Sequence, residues 1–303
     1  MSRRLATVAL DLYPLAFRRR YGQEMRALLD QTPTRMVTVL DLLRGALAAQ
    51  LRPAVTDLVD PADRVRASAS GVLACWVLFA AAGFGFYKTT EDQPFSAAGH
   101  AHPLLGSAHV SIQALALVAS AAVLLGALPL ITAALAHARR QPGLRLVLSL
   151  PALAILLFAA LTGILVLAAR SDHAHGPTTA GGLAFIAWGF AGLACGAVCC
   201  LASRTALFAV PLSRLRLVTA IACGTVVTAA MAAMTLATAV YAIALPIDAS
   251  HLAAAPNGPL QLVSAGTSLV AQLIVMALAV ALAWTTTRRG WRAASQLRPQ
   301  ASS

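Results

Sequence analysis

Two His-Ala-His pairs, His100 with His102 and His173 with His175, are by type and spacing the residues best suited to chemistry. His109 and His251 lie on or near the same side, with Glu91, Asp92, Asp172 and Asp248, in or beside three polar connections between apolar stretches. Imidazole nitrogens and carboxylate oxygens ligate divalent metals. Imidazole also titrates in the range that an external pH sensor would use. A plainer origin accounts for the same residues: these connections are depleted of Lys and Arg, and histidine is a tolerated polar substitute. We therefore expect no metal centre and no cofactor. His100, His102, His173 and His175 are the positions that a cation or a proton would engage.

The apolar stretches offer little else. Cys195, Cys199 and Cys200 cluster in one of them, but no His or carboxylate accompanies them to complete a ligand set. They read as small polarizable packing residues. No Asp, Glu, Lys or Arg occurs inside any stretch, whereas ion-coupled transport and intramembrane hydrolysis both call for ionisable groups there. No H-E-x-x-H helix and no serine-nucleophile context is present, so we expect no enzymatic activity. Gln113 and Gln272 are the largest polar groups in the stretches. Thr228, Thr235 and Thr238 share a helical face with Met231, with Thr225 on the same helix. That seam could line a substrate path, or it could serve helix–helix hydrogen bonds and bonds back to its own helix. Gly192 and Gly196 form a small-residue motif suited to close helix approach, which we assign to packing within the chain.

The elements that hold these residues are six long apolar segments. They read as spans over Ala69–Tyr87, Ala108–Ala136, Val147–Ala169, Gly181–Ala202, Leu217–Leu245 and Leu262–Trp284. Each is about 20 residues or more, enough to cross roughly 30 Å of hydrocarbon. Only 11% of the chain is charged, against about 25% in soluble domains, so most of it faces something other than water. Of the 23 Lys and Arg residues, twenty-one lie in the N-terminal segment, the second and fourth connections and the C-terminal tail. Only Lys88 and Arg170 lie elsewhere. By the positive-inside rule both termini are cytoplasmic and the His-bearing connections are outside. Labelling of introduced cysteines at positions 95 and 173 from outside, and at 140 and 290 only after permeabilisation, would test this. Phe84, Phe86, Tyr87, Tyr241 and Trp284 stand near span ends, where aromatic anchors belong. The net charge of +12 is explained by this orientation, and no nucleic-acid partner is expected. The 22 Arg to one Lys, with abundant Ala, Leu and Val, fit a high-GC, actinobacterial-like genome.

Residues 1–66 form a separate polar module, residues 67–287 the membrane domain, and residues 288–303 a basic tail. In the module, apolar spacing predicts three short helices, one carrying Phe17, Tyr21, Met25 and Leu28 and another Met36, Leu40, Leu43, Leu47 and Leu51. Asp11 breaks the first apolar run, and no cleavage site follows it, so the N-terminus does not read as a signal peptide. Tyr13, Phe17 and Tyr21 fall at i, i+4 and i+8, with Arg18, Arg19 and Arg20 among them and Glu24 placed to pair with Arg20. This stripe fits either a docking face for a partner or headgroups, or the module's own core.

The segment Leu12–Met25, LYPLAFRRRYGQEM, resembles the prefix motif L-Y-P-x-x-F-R-x-R-Y-G-x-E-M of bacterial membrane proteins, including the permease prefix of certain ABC-type permeases. Tyr13, Pro14, Phe17, Arg18, Arg20, Tyr21, Gly22, Glu24 and Met25 all fit it. The resemblance covers about residues 5–55. It implies a cytoplasmic prefix on a membrane body and carries over no catalytic residue. Permeases of the macrolide-exporter type have a large domain between their first two spans, where this chain has a connection of only 20 residues. The expectation is an all-α, six-span plasma-membrane protein, non-enzymatic, accessory or regulatory in role. Its partners would be the bilayer and a protein at the prefix, through Tyr13, Phe17, Arg18, Arg20, Tyr21 and Glu24. A transporter or permease component is the alternative.

Overall fold

The computed structural model describes residues 15–31, 38, 41–42, 45, 60–139, 142–171, 179–257 and 262–297. The chain divides into two compact units, Met1–Arg64 and Val65–Ser303. In the first unit the described helix is α1, Leu15–Gln31. The other two helices expected in the prefix fall largely outside the described residues.

Six helices are long and apolar enough to cross a membrane. They are α2 (Pro61–Thr90), α4 (Pro103–Ala138), α5 (Pro142–Ser171), α6 (Thr179–Ala209), α7 (Arg214–Asp248) and α9 (Ala265–Ala294). The chain is an all-α, multi-pass membrane protein. Thirty residues at 1.5 Å rise make about 45 Å of helix, so each extends past the hydrocarbon into the headgroups. Three of the helices, α2, α4 and α5, begin on proline. Proline's missing N–H costs nothing in the first turn, where amides lack helical partners anyway. Asp60 also caps α2, its Oδ1 accepting from the Ala62 N–H at 2.9 Å.

The last span starts later than its hydropathy implies. Leu262 precedes the helix, and Val263–Ser264 (β2) pair antiparallel with Pro256–Asn257 (β1). The Ser264 hydroxyl then accepts from the Thr267 N–H at 3.2 Å and starts α9. The connections after the first and fifth spans are built rather than loose: α3 (Gln93–Ala101) and α8 (Ser250–Ala254) fold within them.

Four helices make the core. Val72, Cys75 and Phe79 of α2 meet Ala119 and Ala122 of α4, Val227, Ala230, Met231 and Met234 of α7, and Met276, Ala279 and Ala283 of α9. The buried positions are mostly small or flexible, while leucines point away. Leu117, Leu124, Leu156, Leu236 and Ile243 are each more than three-fifths exposed. That is a membrane arrangement: lipid is as apolar as leucine, so close backbone approach rather than hydrophobicity holds helices together.

The α5–α6 hairpin stands beside this core. It is pinned by Trp188, whose Nε1–H donates to Thr162 Oγ1 at 2.8 Å. The Trp188 ring stacks on Phe158 at 5.3 Å and meets Phe84 of α2 at 5.2 Å. A Cβ on Gly192 would lie 3.1 Å from Phe158, and one on Gly196 would lie 2.5 Å from Val77. The small-residue motif thus serves intrachain packing, as expected.

Two expectations need correction. Phe86 and Tyr241 are not interfacial anchors. Both are buried and pack edge-on at 5.3 Å, because α3 and α8 cover that end of the bundle. Tyr87 and Trp284 do face outward. Positions 95 and 290 are also unsuitable for labelling. Phe95 is buried among Leu105, Leu245 and Leu252, and a Cβ on Gly290 would sit 2.5 Å from Ile221. Positions 140 and 173 lie outside the described residues.

Candidate functional site

At the acidic end of the bundle, α3 turns into α4 through His102, which lies between the two helices. His102 Nδ1 is 4.0 Å from Asp248 Oδ1, at the end of α7, an ion pair when the imidazole is protonated. His100 is exposed on α3, and His251 is exposed on α8. His109 bonds along its own helix to Gln113, Nε2 to Nε2 at 3.0 Å. Glu91 is taken by Lys88. Among the described residues no three His, Cys, Asp or Glu side chains come together as a metal site. His173 and His175 lie outside the described residues.

Just inside that end is a polar knot. Thr89 Oγ1 donates to the Gly85 carbonyl at 3.0 Å. It accepts from Asn257 Nδ2 at 3.0 Å and from Gln272 Nε2 at 3.3 Å. Gln272 Nε2 also donates to Ser268 Oγ at 3.0 Å. Gly85 permits this, because a Cβ there would come within 3.1 Å of the Gln272 amide. The knot ties α2, β1 and α9. Sequence reasoning singled out Gln272 but missed Thr89 and Ser268, which meet it across 183 and 4 residues, and Asn257, which meets Thr89 across 168.

The threonines of α7 line neither of the two cavities described below. The hydroxyls of Thr225, Thr228, Thr235 and Thr238 each donate to the carbonyl four residues earlier, at 2.8–2.9 Å. Thr228 also meets Thr287 of α9 at 3.0 Å, and Trp291 Nε1–H donates to Thr225 at 2.8 Å. They bond within and between helices, the packing alternative. The five cysteines are free thiols.

The arginine-rich end is different. Between the four-helix core and the α5–α6 hairpin lies a cavity of about 170 Å³. Its walls come from five helices, with Leu73 of α2, Ala127 and Leu130 of α4, Leu148 of α5, Leu207 of α6 and Cys223 of α7 among them. It is almost wholly apolar. Beside it, a cleft of about 320 Å³ is lined by Thr132, Ala136, His137, Pro211 and Arg216. Val210 borders both. The Val210 carbonyl accepts from Arg66 Nη2 at 3.2 Å, and the Ala138 carbonyl accepts from Arg145 Nε at 2.8 Å. Neither cavity touches Gln113, Gln272 or Thr228, Thr235 and Thr238.

No protein-family model, curated protein or solved structure matches this chain. Its chemistry must therefore be read from its own residues.

In the prefix, α1 contains Phe17, Arg18 and Arg20, whose side chains lie outside those described, and Tyr13 precedes it, also outside. Tyr21 and Glu24 are exposed, and Leu28 is 61% exposed. The cavity and its cationic rim were missed by sequence reasoning. A gap between helices leaves no trace in hydropathy.

Proposed function

We propose that this chain is a non-enzymatic protein of a bacterial plasma membrane, with both termini in the cytoplasm. Its role is accessory or regulatory, and its prefix docks a protein partner. The supporting observation is how the membrane-embedded polar groups are used. The α7 threonines are bonded to helix carbonyls or to neighbouring helices, and Gln272 is held in a knot between α2 and α9. Polar groups used in this way stabilise helix contacts and leave little to carry a hydrophilic solute. The resemblance of Leu12–Met25 to a permease prefix adds to this reading, as do the exposed Tyr21 and Leu28 on α1.

A photoreactive side chain at Leu28 or Tyr21 of the full chain, in cells, tests the docking role. A discrete protein adduct is expected from one or both. A transporter would behave differently: Thr235→Cys would react with a water-soluble maleimide from either side of the membrane. That result, with no protein adduct at α1, would overturn the accessory reading.

A further inference from the structure

We propose that the cavity and cleft at the arginine-rich end are one binding site for an anionic phospholipid, its acyl chain between the core and the α5–α6 hairpin and its headgroup on His137 and Arg216. Three observations carry this.

The first is volume and lining. About 170 Å³ bounded by Leu73, Ala127, Leu130, Leu148 and Leu207 matches the size of apolar cavities, about 150 Å³, that stay dry and take up a hydrocarbon guest. Water gains few partners there: among the described residues of the lining only Ser70 and Ser203 carry hydroxyls, and Ser70 already bonds the Ala67 carbonyl. An empty void of that size would cost contacts on every wall.

The second is access. Ile131 lines the cavity and is also 52% exposed on the outer surface of α4. The cavity therefore reaches the side of the bundle that faces lipid, and a chain can enter laterally from the bilayer. The hairpin meets the core through few buried residues at this end, Leu144, Ala206 and Val210 against Ala133, Ala134 and Ala138.

The third is charge. The apolar cavity gives onto the cleft at Val210, where His137 and Arg216 stand beside the Thr132 hydroxyl. Beyond residue 66 the acids are Glu91, Asp92, Asp172 and Asp248, all in connections of the opposite side. The arginine-bearing segments 137–146, 203–216 and 285–303 contain none. Among the described residues no Asp or Glu lines the cavity or the cleft, so Arg216 meets no carboxylate within the site. Basic pockets between helices at a membrane surface hold lipid phosphates for this reason. An apolar slot opening beside a cation fits one ligand chemistry: a hydrocarbon chain joined to an anion.

The test uses full-length protein in a neutral detergent. Retention of phosphatidylglycerol is compared with that of phosphatidylcholine of identical chains by native mass spectrometry, and protection is compared by thermal unfolding. Phosphatidylglycerol should be preferred. One arginine at a membrane surface is worth about 1 kcal/mol, so Arg216→Gln should lower that preference about fivefold, and Arg216→Lys should keep most of it. Arg216 is exposed, so these variants leave the packing intact. Ala127→Leu and Ser203→Leu fill the cavity from α4 and α6, and either should reduce retained phosphatidylglycerol with the rim unchanged. Millimolar inorganic phosphate should not protect. Equal retention of the two lipids would overturn the proposal. So would unchanged retention in the folded filling variants, which would leave only surface charge, or full protection by phosphate alone.

Discussion

Thr89→Val is the sharpest perturbation of the bundle. Valine has threonine's shape, so packing is kept and only the hydroxyl is lost. Thr89 is 2% exposed, so water cannot replace that hydroxyl. Two acceptor roles disappear, those toward Asn257 at 3.0 Å and Gln272 at 3.3 Å. Interhelical hydrogen bonds in membranes average about 0.6 kcal/mol. Two of them, plus a partly orphaned buried amide on Asn257, give a loss of about 2 kcal/mol. Gln272 Oε1 is buried with no partner among the described residues, so Gln272→Met removes an unsatisfied acceptor together with its bonds. We expect that variant to be neutral within about 0.5 kcal/mol, since relief of the unsatisfied acceptor offsets the lost bonds and Thr89 keeps Asn257 and the Gly85 carbonyl. On the Gln272→Met background, Thr89→Val should then cost about 1 kcal/mol. The assay is equilibrium unfolding in mixed micelles, run as a double-mutant cycle. Additivity within about 0.3 kcal/mol would refute the coupled knot. So would a greater cost for Gln272→Met than for Thr89→Val.

Three further outcomes are expected. Gly106→Ala should destabilise by about 2 kcal/mol in the same unfolding assay, because its Cβ would lie 2.5 Å from the Gly99 carbonyl oxygen, a backbone atom that cannot rotate away. Gly83→Ala, with nothing within 4 Å of its Cβ, should be neutral or stabilising. For orientation, single cysteines at the exposed positions His100, Arg139 and Arg289 replace the unsuitable ones. A membrane-impermeant maleimide should label position 100 in intact cells and positions 139 and 289 only after permeabilisation. The reverse pattern would overturn the assignment made from charge.

Much of the architecture was legible before the structure. Six spans follow from apolar length alone, because a helix must satisfy its own backbone in lipid whatever its side chains are. Three of the helices start earlier than apolar length placed them, on Pro61, Pro103 and Pro142, where the missing N–H costs nothing. The distribution of arginine distinguishes one end of the bundle from the other. Facing was not legible. In a soluble helix one apolar stripe marks the core, but α4 and α6 are apolar all round, so periodicity carries no signal. Only the packed structure shows that Ala119 and Ala122 face inward while Leu117 and Leu124 face lipid. Only packing separates the four-helix core from the α5–α6 hairpin and leaves a cavity between them. Phe86 and Tyr241 show the same limit: their place near span ends indicated the interface, and α3 and α8 buried them. The histidines also divide this way. Their side of the bundle followed from sequence, but the pairing of His102 with Asp248 depends on where α4 and α7 end. Composition determines that this chain lives in a membrane and which residues gather at each end. Tertiary structure decides which of them touch, because lipid offers no hydrophobic gradient between helices, and shape and a few interhelical hydrogen bonds select the partners.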